Sequence, residues 1–138
     1  MRILSKTRAA ASIIGIIAGL GGGVLHGVGE MLQGSIAPSG TMIEAWPELT
    51  VLAGEPAMTV VPNFLVTGVL AIIFGLIVTI WAAAFVQKKN GGLFLILLSI
   101  IMLLVGGGLI PPIFGVIAGI IGTQIKHSAS TKHEGLYS

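Results

Sequence analysis

The sequence predicts an all-α integral membrane protein, a compact four-transmembrane-helix bundle with both termini on the cytoplasmic side. Three observations predict it. Of 138 residues, 54% are hydrophobic and only 9% charged, with mean hydropathy +1.04, a balance that would leave a soluble domain of this size covered in apolar patches. The apolar runs are too long for core strands and lack the polar face that recurs every ~3.6 residues in a soluble bundle helix. The basic residues flank these runs, and one orientation gathers all seven of them on one side.

The first expected span is 9–29, preceded by Arg2, Lys6 and Arg8. That arrangement resembles a secretory signal peptide, but the run exceeds the ~7–15 apolar residues of such a segment, and Gly21 to Gly23 are followed by more apolar sequence. An uncleaved span is expected. An outer loop, 30–59, follows, carrying Glu30, Glu44, Glu48 and Glu55 and no lysine or arginine. Within it Ser39 or Thr41 is placed to cap a short helix over Met42 to Trp46, ended by Pro47, with Trp46 suited to the headgroup layer.

The second expected span is 62–86, opening on Pro62 and closing on Trp81, Gln87, Lys88 and Lys89. At about 1.5 Å per residue it outruns the ~30 Å hydrocarbon core and is expected to tilt. Asn90, Gly91 and Gly92 make a turn. The nearly unbroken apolar stretch from Leu93 to Ile125 is too long for one helix of the usual ~17–25 residues. Gly106 to Gly108, then Pro111 and Pro112, divide it into a tight Gly/Pro hairpin between spans 92–105 and 111–125, both short. With few polar side chains there, the free backbone groups of the hairpin need protein or interfacial water. The tail, 126–138, is polar and cytoplasmic. The whole chain, 1–138, reads as one membrane domain.

Orientation follows charge. With the N-terminus inside, Arg2, Lys6, Arg8, Lys88, Lys89, Lys126 and Lys132 are all cytoplasmic, and four of the five acidic residues lie outside. The calculated pI of about 9.3 therefore reports topology, and no nucleic-acid partner is expected. The absence of cysteine removes thiolate nucleophiles, disulfides and cysteine-based zinc or iron–sulfur sites.

Small residues recur at helical spacing. Gly15, Gly19, Gly23 and Gly27 form a row on the first span, and Gly68, Ala71, Gly75, Thr79 and Ala82 form one on the second. Gly115, Gly119 and Gly122 form a third on the last span. Such rows let backbones approach closely where apolar lipid supplies no hydrophobic drive. They serve either packing within one chain or an interface between chains.

One polar constellation stands out. His26, Glu30 and Gln33 fall on one face if the first helix continues beyond Gly29, and Asn63 and Thr67 at the outer start of the second span are placed to face them. An imidazole and a carboxylate one turn apart suit a proton or cation site, or two ligands of a metal that Glu44, Glu48 or Glu55 would complete. The competing reading is structural: Glu30 solvated at the interface, His26 bonded to a carbonyl, and Asn63 and Thr67 acting as interhelical glue. Ser99 has no acid or base nearby in sequence. The repeat Lys126–His127, Lys132–His133 belongs to a solvated tail. No catalytic set, metal set or cofactor is called for.

The expected role is non-enzymatic: a small multi-pass protein of the prokaryotic plasma membrane acting through helix–helix contacts. Its expected partners are membrane lipids and either further copies of itself or other membrane subunits. The alternative is a small oligomeric transporter or channel for protons or cations, with His26 and Glu30 at its outer mouth. A lipid- or quinone-modifying enzyme would need more convergent groups than the sequence offers.

Overall fold

The computed structural model describes residues 2–47 and 55–125; Glu48 and the tail 126–138 with its Lys–His repeat lie outside them. The described chain is mostly helical. Its first rod begins as α1 (Arg2–Ala18), widens into a π-helical stretch (Gly19–Val24) and returns to α geometry as α2 (Leu25–Leu32). The wide turn falls where Gly21, Gly22 and Gly23 weaken the ordinary ladder through their backbone freedom. Gln33 closes the rod and Gly34, at φ +90°, turns the chain away. The rod is longer than the expected span 9–29, so Glu30 lies on a helix and not in a loop.

Asn63 starts α3 (Phe64–Ala84), its side chain accepting from the Val66 amide at 3.0 Å. The turn to α4 (Gly91–Leu104) runs through Asn90 in the left-handed region at φ 60°. The three glycines then carry the chain into α5 (Ile110–Thr123), whose Pro111 and Pro112 sit in the first turn, where a missing N–H costs no helical bond. The continuous helix Lys6–Leu32 and α3, 27 and 21 residues, are long and apolar enough to cross a membrane; α4 and α5 are shorter apolar helices.

The helices close a ring in which α1 packs on α3 and α5, and α4 on α3 and α5. Small residues line much of the interior around the buried Val78, Val86, Leu95 and Met102, and many large apolar side chains face outward. Ala11, Ala18, Ala71, Ala82 and Ala118 are fully buried, with glycines between them, while Ile13, Ile17, Leu20, Ile73, Ile80, Phe94, Ile113 and Ile120 are exposed. The glycine row of the rod meets the small-residue row of α3. A Cβ on Gly15 would strike Ala82, one on Gly19 would strike Gly75 and Thr79, one on Gly23 would strike Ala71 and Gly75, and one on Gly27 would strike Gly68 and Ile72. Gly115 and Gly119 receive Ser99 and Ile96 of α4 in the same way.

The outer loop corrects the expected short helix over Met42–Trp46. Met42–Glu44 form a strand, β1, paired antiparallel with β2 (Pro56–Met58) in the register Met42↔Met58, Ile43↔Ala57, Glu44↔Pro56. Burial alternates along it, with Ile43 and Ala45 in and Met42 and Glu44 out, which is the period of a half-buried strand. Ile43, Ala57 and Phe64 form a small core beneath the ribbon. The ribbon folds back on the bundle: Trp46 Nε1 donates to the Leu25 carbonyl at 2.9 Å, and Gln33 Nε2 to the Glu44 carbonyl at 2.7 Å. Beyond β2, Thr59 bridges to Val105, and the Val60 amide donates to the Leu104 carbonyl at 2.9 Å. The outer loop thus supplies hydrogen bonds that the end of α4 lacks within itself.

Candidate functional site

Because α4 and α5 are short, their glycine turn ends against α2, and the polar residues gather around that turn. Gly106 and Gly108 adopt φ of +94° and +95°, a region open to glycine and strained for other residues. Space demands glycine there as well: a Cβ on Gly106 would collide with the Glu30 carboxyl, and one on Gly108 would lie 2.8 Å from His26 Nε2. The two side chains predicted to share a helical face therefore both press on one three-residue turn.

His26 is 2% exposed. Its Nδ1 lies 2.9 and 3.0 Å from the carbonyls of Gly21 and Gly22, in the π-helical stretch. Carbonyls only accept, so this contact places the ring hydrogen on Nδ1. Nε2 points the other way, 3.3 Å from Glu55 Oε1. Glu55 is one of the three loop acids that the sequence offered beside His26 and Glu30 without distinguishing among them. It comes from the far arm of the outer loop, its side chain is 25% exposed, and it holds φ 53°, a left-handed conformation costly for a glutamate, of order 1–3 kcal/mol.

Glu30 is fully buried, and neither carboxyl oxygen has a hydrogen-bond partner. Among the described residues only Gln87 Oε1 shares that condition. Beside the same turn the Thr59 and Thr67 hydroxyls meet at 2.6 Å, and Thr67 donates to the Val105 carbonyl at 2.6 Å. Thr59 and Thr67 are both buried. They tie the ribbon, α3 and the end of α4 together.

The other sequence candidates take structural positions. Gln33 spends its amide on the Glu44 and Ala45 carbonyls. Asn63 caps α3 and donates to Ser35 Oγ at 3.1 Å, outside the His26 and Glu30 group. Ser99 donates back to the Leu95 carbonyl on its own helix. Among the described residues no group of three or more histidine, cysteine or acidic side chains is placed to hold a metal ion. An open cleft of about 500 Å³ lies beside the ribbon, lined by Gln33, Ser39, Glu44 and Phe64 among others.

Chemically the arrangement offers an imidazole nitrogen 3.3 Å from a partly exposed carboxyl group, and a buried carboxyl without a hydrogen-bond partner one helical turn away. Searches against known protein families, curated proteins and solved structures return no match for this chain.

Proposed function

We propose that this protein is a four-span integral membrane protein of a prokaryotic plasma membrane, with both termini in the cytoplasm, acting without catalysis through helix contacts as an oligomer or accessory subunit. The observation that carries the reading is the exposed apolar surface, with isoleucine, leucine or phenylalanine facing out along every helix while glycine and alanine supply much of the interior around Val78, Leu95 and Met102. Lipid tails solvate such a surface and water does not. The glycine rows are already occupied by neighbouring helices of the same chain. A second copy or a different subunit then meets the bulky faces, such as Ile13, Ile17 and Leu20 on the first rod.

The test is native mass spectrometry of the protein released from nanodiscs, after confirming that it resists alkaline extraction from membranes. A defined oligomer or a retained subunit supports the reading. A bare monomer across a range of protein-to-lipid ratios overturns the contact role, and alkaline release overturns the spanning one.

A second reading, a proton or cation conductor with His26 and Glu30 at its outer mouth, is favoured by one specific observation, the buried and unpartnered Glu30. Ionisable groups at membrane depth are functional candidates by default. It calls for a pH-dependent flux into proteoliposomes that His26→Ala removes.

A further inference from the structure

We propose that Glu55, His26 and Glu30 form a proton-binding site, filled from the outer water through Glu55 and His26 and storing the proton on Glu30. The inference rests on the contacts around the glycine turn and holds for a monomer as well as an assembly, so it stands apart from the contact role proposed above.

The first leg is fixed by hydrogen bookkeeping. Nδ1 of His26 faces two carbonyls and carries its hydrogen toward them. The 3.3 Å approach of Nε2 to Glu55 Oε1 is then attractive only with a second hydrogen, held either by Nε2 as imidazolium or by Glu55 as acid. A bare Nε2 lone pair against a bare carboxylate would be repulsive. The pair thus carries one hydrogen that moves between two atoms, and Glu55, a quarter exposed, is the member that reaches water.

The second leg is set by Glu30. Its carboxyl has lost water and gained no hydrogen-bond partner, and an unpaired charge in such a place costs several kcal/mol. Either a proton or a cation removes that cost. The structure favours the proton, because among the described residues no group of three or more acidic, histidine or cysteine side chains is placed to hold a metal ion. A movable hydrogen is also available one turn down α2, with Cβ atoms about 5–6 Å apart. Among the described helices, α3, α4 and α5 contain no ionisable residue in their sequences, and the turn contributes Gly106 and Gly108.

The transfer balances as a single proton. Glu55 takes one from water and passes its hydrogen to Nε2, and Nε2 gives it to a Glu30 oxygen once side-chain rotation brings that oxygen, unpartnered in the structure, within reach; Nδ1 keeps its own hydrogen, directed at the Gly21 and Gly22 carbonyls, throughout. Release runs the same path backward. Gly106 and Gly108 are what allow both side chains to reach the turn, since any Cβ there would occupy their places.

The test is infrared spectroscopy of the full chain in nanodiscs, following protonated-carboxyl bands through pH titration between about pH 5 and 9 and through exchange into D2O. Glu30→Gln, a near-isosteric change, is expected to remove one such band. Glu55→Gln and His26→Gln are expected to keep it and slow its deuterium shift about tenfold or more. Should Glu30→Gln fail to fold, the Glu55→Gln comparison decides alone, because that side chain is partly exposed. Wild-type exchange rates in both Glu55→Gln and His26→Gln overturn the entry path. A Glu30 band that is absent at every pH, or that disappears on adding sodium or potassium chloride at constant pH, overturns proton storage and points to a bound cation.

Discussion

At the scale of single residues the molecule discriminates between glycines that look alike in sequence. Gly21 and Gly23 lie in the same π-helical stretch, yet a Cβ on Gly21 would meet nothing within 4 Å, while one on Gly23 would run into Ala71 and Gly75. Gly23→Ala is expected to lower stability by about 1–3 kcal/mol through overpacking. Gly21→Ala is expected to be neutral or stabilising by up to about 1 kcal/mol through lost chain entropy. Unfolding of the two variants in mixed detergent micelles checks the pair, and equal effects would dissolve the distinction. The site shows the same limit on reading residues alone. His26 and Glu30 were visible at four-residue spacing, but their shared surface, Gly106 and Gly108, is some eighty residues away along the chain. Glu55 carried no local signal beyond being one acid in an acidic loop. Only a contact across the fold distinguishes it from Glu44, which is exposed.

Elements divide into those set by local pattern and those set by pairing. The last three helices were legible because apolar runs, prolines and glycine clusters mark them within a few residues, as with the expected 62–86 against the observed Phe64–Ala84, whereas the first rod outran its expected span at both ends. The ribbon was not legible. Four alternating residues, Met42 to Ala45, are also acceptable helix formers behind a capping serine or threonine, and the strand that decides between the two begins only at Pro56. Asn63 illustrates a residue whose role changed with its element, from a member of the polar face to the cap of α3. Asn63→Ala is expected to cost about 0.5–2 kcal/mol, and Asn63→Asp to keep most of the cap. Thermal unfolding of both variants reads this out, and an equal loss in both would assign Asn63 to its Ser35 contact instead.

For the molecule as a whole, the sequence established the apolar character and the number of apolar segments, while orientation in a bilayer rests on lysine and arginine bias. The chain contains no cysteine, so single cysteines report topology without background. Ser39→Cys in the outer loop and Lys88→Cys in the α3–α4 turn both stand at exposed positions. An impermeant maleimide is expected to label Ser39→Cys on intact cells and Lys88→Cys only after permeabilisation. The opposite pattern would invert the proposed topology.

The unequal heights of the helices have a mechanical consequence. The rod Lys6–Leu32 and α3 are 27 and 21 residues long, whereas α4 and α5 have 14 each, about 21 Å at 1.5 Å per residue. In the four-span arrangement proposed above, a bilayer with a ~30 Å core would compress its annular lipids beside α4 and α5 and not beside the rod and α3, at a cost of fractions of a kcal/mol per Å. The protein then acts as an elastic wedge. Two wedges relieve that compression by setting their low sides together, so acyl-chain length alone becomes a variable that drives them together in thick bilayers and lets them part in thin ones.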